Sequence, residues 1–217
     1  MNIPNLLSIL RIVLIPLFLY LIFIPNVQSR VLALIVFCFA SLTDLLDGWS
    51  ARKLGQETST GKFLDPLADK FLVISALIAF LILDSLIPFW MILIIVSRDI
   101  LITFMRYLAL KENRILRTTR FGKIKTTFQM ISIIVIIMVF IYRSTGMNVY
   151  DQFEYGYYPE FASVYDIFIS DHPNKWLIIG PYCLMAIVTL LTAISGIRYI
   201  MTNWRLFWPS HSEDERS

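Results

Sequence analysis

Apolar residues along this chain fall into six long runs separated by short polar breaks. The runs cover residues 5–25, 30–52, 60–83, 87–110, 120–142 and 176–202. Each approaches or exceeds the ~20 residues a helix needs to cross a hydrocarbon layer of about 30 Å. The breaks lie at Pro25-Asn26, from Lys53 to Thr58, from Asp84 to Pro88, from Lys111 to Arg120, and from Arg143 to Lys175. Pro4 and Asn5 precede the first run, where a helix start is expected. The pattern predicts an all-α fold, a polytopic membrane bundle of six transmembrane helices forming one domain over residues 1–217.

Composition supports that class. Of the 217 residues, 57 % are apolar and only 16 % are charged, against roughly 25 % charged in soluble domains. A soluble fold could hardly cover itself with so little charge. No cleavable signal is evident, because the first run is long, carries Arg11 and lacks a small-residue cleavage site. No internal repeat or low-complexity segment appears, and residues 213–217 read as a frayed polar tail. Cys38 and Cys183 sit far apart in apolar runs without a CxxC partner, and read as small buried hydrophobes.

The placement of charge predicts orientation. With the N-terminus inside, the cytoplasmic segments and helix ends carry Arg11, Arg52, Lys53, Lys62, Lys70, Arg106, Lys111, Arg114, Arg117, Arg120, Lys123, Lys125, Arg198 and Arg205. The outer side keeps Arg30, Arg143 and Lys175. This asymmetry follows the positive-inside rule and puts both termini in the cytoplasm. The segment at 144–175 is rich in Tyr and Phe and carries Asp151, Glu154, Glu160, Asp166 and Asp171. It is expected to be an outer loop with a short interfacial helix.

The candidate chemistry lies at the inner ends of the second and third runs. Asp44 and Asp47 are spaced i, i+3, and Asp65 and Asp69 are spaced i, i+4, so each pair shares a helical face. An ionised group at membrane depth costs about 2.5–3.5 kcal/mol even on a lenient scale. Antiparallel helices joined by a short loop let the two pairs converge. Four converging carboxylates call for a cation, and all-oxygen ligands suit hard ions such as Mg²⁺, Mn²⁺ or Ca²⁺. Gly48 and Ala51 lie on or beside the face of the first pair, and Gly61 stands one turn before Asp65. Glycine costs up to ~1 kcal/mol in a helix interior, so its presence there points to close approach to the backbone. Arg52 follows as a candidate phosphate donor. Together these residues describe a diphosphate pocket open to the cytoplasm.

Asp44-x2-Asp47-Gly48-x2-Ala51-Arg52-x8-Gly61-x3-Asp65-x3-Asp69 resembles, with no departure, the signature of the CDP-alcohol phosphatidyltransferases. Eight specified residues at fixed spacing would match a given start by chance on the order of once in ten billion. A second layer resembles one branch of that family, the phosphatidylglycerophosphate synthases. It comprises the opening Asn2-Ile3-Pro4-Asn5-Leu6-Leu7 with Arg11 and Pro16, the run Asp65-Pro66-Leu67-Ala68-Asp69-Lys70, Arg98-Asp99 with Arg106, and Gly122-Lys123-Ile124-Lys125-Thr126-Thr127-x-Gln129-Met130. The resemblance covers most of residues 1–142 and fades over the outer loop and last run.

The resemblance implies transfer of a phosphatidyl group from CDP-diacylglycerol to glycerol 3-phosphate, giving phosphatidylglycerophosphate and CMP, in phospholipid biosynthesis. It implies one or two Mg²⁺ or Mn²⁺ ions on Asp44, Asp47, Asp65 and Asp69, with Asp69 as the base that takes the acceptor proton. CDP would lie against Asp44, Asp47, Gly48, Ala51, Arg52, Gly61 and Asp65. A phosphorylated acceptor also needs a cationic cradle, which Arg98, Arg106, Arg120, Lys123 and Lys125 are placed to supply. Their other reading is positive-inside charge on anionic headgroups, about 1 kcal/mol each, and Arg98 can pair with its neighbour Asp99. A homodimer among membrane lipids is expected, multi-pass in a membrane of the bacterial cytoplasmic type, with a cytoplasmic active site and no nucleic-acid partner. The alternatives are a sister enzyme taking inositol phosphate, serine or phosphatidylglycerol, or a membrane cation transporter. A transporter would carry its acids near mid-membrane on broken helices.

Overall fold

The computed structural model describes residues 3–54, 59–111, 120–145 and 175–207, and among these described residues there are six α-helices. They are α1 (Ile3–Phe23), α2 (Val27–Leu54), α3 (Ser59–Leu83), α4 (Phe89–Lys111), α5 (Arg120–Arg143) and α6 (Lys175–Phe207). Their number and order match the six apolar runs. The segment expected to form an outer loop lies, beyond Thr145, outside the described residues.

Local chemistry sets the breaks. Asn26 caps α2, its side-chain oxygen accepting from the Gln28 N–H at 3.0 Å, which satisfies one of the orphan donors of a first helical turn. Asp84 closes α3 in the same manner, accepting from the Leu86 N–H at 3.1 Å and turning the chain towards Pro88 and α4. Pro16 lies inside α1 and Pro181 inside α6, a placement that membrane helices tolerate.

Helix α1 packs against both α2 and α3, α6 packs against both α4 and α5, and α2 and α3 join the two groups through α5 and α4. The core runs through these contacts. Phe18 and Phe37 meet with ring centroids 5.5 Å apart, and Phe80 meets Phe140 edge-on at the same distance. Leu77, Ile95 and Ile136 fill the space around them and are fully buried.

The outward faces are equally apolar. Ile187, Leu190, Ile194, Ile197 and Met201 form one exposed stripe on α6, and Ile124, Ile131 and Met138 form another on α5. Each such side chain would gain about 1.5–3 kcal/mol on leaving water, so faces this apolar belong in lipid. Among the described residues two helical stretches, Ile124–Arg143 and Lys175–Asn203, are long and apolar enough to cross a membrane, and shorter apolar stretches occupy Ile9–Phe23, Val27–Thr43 and Lys70–Leu83. This is a membrane protein. Cys183 departs from its sequence reading: it is exposed on α6, and Cys38 is only partly buried. A lipid-facing surface accepts a small apolar residue as readily as a core does.

At one end of the bundle a polar knot ties four helix ends together. Arg143, at the end of α5, donates to Asp84 Oδ2 at 2.9 Å and to the Leu177 carbonyl of α6 at 2.7 Å. Arg30, from α2, donates to the Phe140 carbonyl at 3.0 Å and to the Ser144 hydroxyl. Arg30 and Arg143, both assigned to the outer side by charge placement, thus share one end with the start of α6.

Candidate active site

Two continuous helices carry the motif. Asp44, Asp47, Gly48, Ala51 and Arg52 stand on α2, while Gly61, Asp65 and Asp69 stand on α3, on either side of the connection at 55–58. The spacings i, i+3 and i, i+4 are therefore true helical turns, about 4.5–6 Å of rise within each pair. The α2 and α3 backbones approach within 8 Å. The side chains over 44–69 lie outside the described residues, and among the described residues no cluster of three or more His, Cys, Asp or Glu is present. As a donor set, four carboxylates from two neighbouring helices fit a hard divalent cation.

Described residues flank this stretch on both helices. Arg11 of α1 is fully buried, and its Nε donates to the Ala40 carbonyl of α2 at 3.3 Å. The Thr43 hydroxyl donates to the same carbonyl at 2.7 Å. On α3, Lys70 follows Asp69 directly and donates to the Asp99 carbonyl of α4 at 2.9 Å.

Asp99 is the centre of a second constellation. Lys125 Nζ on α5 lies 2.9 and 3.0 Å from its two carboxylate oxygens, and Arg98 Nη1 lies 2.8 Å from Oδ1. The Lys125 side chain is 2 % exposed, Arg98 13 % and Asp99 24 %. Among the described residues, no Cα of α4 comes within 8 Å of a Cα of α5, so these side chains bridge two helices that are not backbone neighbours. Arg98 reaches a third helix, its Nη2 donating to Ser195 Oγ of α6 at 2.7 Å. Lys125 and Arg143 are 143 − 125 = 18 residues apart, about 27 Å along α5, which separates this cluster from the polar knot.

Burying an ion pair generally returns little stability, because desolvation offsets the attraction. Here one carboxylate meets two cations, so the trio keeps one positive charge. It also keeps donors: Arg98 has five N–H groups, and its Nε is buried with no hydrogen-bond partner among the described residues. Excess positive charge with donors to spare suits a phosphate.

The expected cradle residues divide accordingly. Arg98 and Lys125 are brought together through Asp99. Arg106 is exposed further along α4 and joins none of the described contacts. Arg120 and Lys123 stand on the first turn of α5, with side chains outside the described residues. Sequence reasoning treated Asp99 only as a neighbour of Arg98 and passed over Ser195 and Lys70 as partners. The adjacency of Arg98 and Asp99 was a usable signal; Lys125 was singled out for the cradle, but nothing in spacing pointed to it as a partner of Asp99 or to Ser195 as a partner of Arg98.

The chain belongs to the CDP-alcohol phosphatidyltransferase family, since a sequence model of that family matches residues 1–153, which span α1 to α5. Members of that family generally depend on divalent metal. The chain is also similar to curated proteins named CDP-diacylglycerol–glycerol-3-phosphate 3-phosphatidyltransferase. The Bacillus subtilis (strain 168) protein is 39 % identical over 144 residues, covering 61 % of this chain and 74 % of the relative. The Wigglesworthia glossinidia brevipalpis protein is 38 % identical over 138 residues (61 % and 75 %), and that of Escherichia coli (strain K12) 37 % over 137 residues (61 % and 74 %).

Proposed function

We propose that this chain transfers the phosphatidyl group of CDP-diacylglycerol to glycerol 3-phosphate, giving phosphatidylglycerophosphate and CMP. The reading rests on the 37–40 % identity to relatives named for that reaction. For the acceptor it rests on the net-positive Arg98–Asp99–Lys125 trio, which is suited to an alcohol that carries its own phosphate.

Asp44, Asp47, Asp65 and Asp69 would hold one or two divalent ions, Mg²⁺ or Mn²⁺. Bound there, the metal would neutralise the donor diphosphate and the departing CMP. Gly48, Ala51 and Gly61 admit the cytidine diphosphate against the helix backbones, with Arg52 donating to it. Arg98 and Lys125, with Arg106, Arg120 and Lys123 nearer the helix ends, hold the acceptor phosphate. Asp69 takes the proton from the acceptor hydroxyl as its oxygen bonds to the phosphatidyl phosphorus and the bond to CMP breaks.

All six helices cross the bilayer in this reading, so both termini and the site face the cytoplasm. The concentration of Lys and Arg on that side supports the orientation. A membrane of the bacterial cytoplasmic type fits the organisms of the relatives. A homodimer is supported by the family resemblance alone.

The test is a purified preparation given CDP-diacylglycerol with Mg²⁺ or Mn²⁺, and glycerol 3-phosphate, serine, inositol phosphate and phosphatidylglycerol in parallel. CMP release with glycerol 3-phosphate alone is the expected result. Turnover with another acceptor instead would make the chain a sister enzyme, and no turnover with any would overturn the reading.

A further inference from the structure

We propose that Ser195 and Gly196 of α6, together with Asp99 of α4, are positioning residues that aim the Arg98 guanidinium at the acceptor phosphate. The inference rests on the acceptor-site reading above, and it assigns a role to a helix beyond the residues 1–153 matched by the family.

Three contacts fix the side chain. Asp99 holds Nη1 at 2.8 Å and Ser195 holds Nη2 at 2.7 Å. Gly196 makes room for the stem: a Cβ built there would stand 2.9 Å from Arg98 Cγ. That atom lies near the root of the side chain, so the arginine could not swing its far end aside and keep its place. Both α6 residues are buried, Ser195 almost fully. Arg98 is thereby held at head and stem by two helices while its buried Nε has no hydrogen-bond partner among the described residues.

This arrangement has a cost that packing alone does not explain. A buried donor left unpaired is destabilising, and a glycine in a helix interior is inferior to alanine. Each makes sense if the guanidinium must keep one orientation and reserve donors for an arriving anion. The pre-oriented fork would spare the acceptor the ordering of a long flexible side chain on binding.

Five variants test this by steady-state kinetics with each substrate varied in turn. Gly196→Ala should raise KM for glycerol 3-phosphate roughly tenfold, with KM for CDP-diacylglycerol and kcat within about twofold of the parent. Ser195→Ala, which removes one oxygen and adds no bulk, should raise the same KM about threefold, and Ser195→Thr should restore it. In an Arg98→Ala background Gly196→Ala should have no further effect, because its clash partner is gone. If Arg98→Ala raises the acceptor KM while both α6 variants leave it unchanged, positioning by α6 is wrong and the acceptor site stands. If Arg98→Ala leaves that KM unchanged, the acceptor role of Arg98 falls and this proposal with it. Equal increases in KM for both substrates would reduce Ser195 and Gly196 to general packing and overturn the proposal.

Discussion

Arg143 donates to Asp84 at 2.9 Å, an ion pair between the end of α5 and the end of α3 whose partners are only 10 % and 1 % exposed. The guanidinium also lies 5.4 Å from the centroid of the Phe140 ring, and it reaches the Leu177 and Ile178 carbonyls on the first turn of α6. One side chain therefore secures three helices at the end of the bundle remote from the aspartate motif. Removing one partner of such a buried pair costs roughly 3–5 kcal/mol, because the other charge is stranded.

Asp84→Ala should accordingly lower the apparent melting temperature of the detergent-solubilised protein by several degrees. It also removes the acceptor for the Leu86 N–H. KM for glycerol 3-phosphate should not change in the folded fraction, since the pair lies about 27 Å along α5 from Lys125. Thermal unfolding alongside a kinetic assay at low temperature measures both.

Chelation of divalent metal should abolish CMP release, and Mg²⁺ or Mn²⁺ should restore it. Asp44→Asn and Asp47→Asn should need more metal for half-maximal rate, each removing one charged ligand from a set of four. A metal titration that leaves these variants indistinguishable from the parent would show that Asp44 and Asp47 are not ligands.

Asp69→Asn should keep measurable binding of CDP-diacylglycerol and lose turnover, because an amide cannot take the acceptor proton. Equilibrium binding of labelled donor, set beside single-turnover CMP release, separates the two effects. Turnover close to the parent would remove Asp69 from the base role.

Lys125→Met keeps a long apolar stem and removes the ammonium that bridges Asp99. Losing a charge-assisted contact of about 1.5–3 kcal/mol should raise KM for glycerol 3-phosphate roughly ten- to hundredfold. KM for CDP-diacylglycerol should move little. Initial rates over a grid of both substrates distinguish the outcomes.

Excising residues 146–173 and joining the ends with a short flexible linker should leave most of the activity intact. Every proposed site residue lies between Asp44 and Lys125 or on α6. Loss of catalysis in a variant that still unfolds cooperatively would give this segment a part in the reaction.

The helices were legible because membrane solvation writes them as apolar runs, and because Pro25-Asn26 and Asp84 to Pro88 punctuate them with turn chemistry. Boundaries were less so. Hydropathy ended the last run at 202, whereas α6 continues to Phe207, since a helix can outlast the apolar face that marks it. The aspartate motif was legible because four acids in apolar helices are costly and their spacing is helical. The cluster around Asp99 was half legible. Arg98 and Asp99 are chain neighbours, but Lys125 meets Asp99 from a helix whose backbone keeps its distance. Ser195 and Gly196 could not be singled out, because small residues on membrane helices ordinarily serve close helix packing. Asp84 read as a loop residue and is one, but its further part as an anchor for Arg143 was not legible.

The two charges facing Asp99 differ in when they are balanced during biogenesis. Arg98 and Asp99 are adjacent on α4, so in the proposed six-span topology that segment enters the membrane with its countercharge aboard. Helix α5 contains no acid, and the Lys125 ammonium is neutralised only when α5 has settled beside its neighbours and Asp99 comes within reach. Burial of that lysine is therefore an event of bundle assembly rather than of segment insertion, and a chain lacking α4 but keeping α5 would leave Lys125 without the Asp99 carboxylate that shelters it.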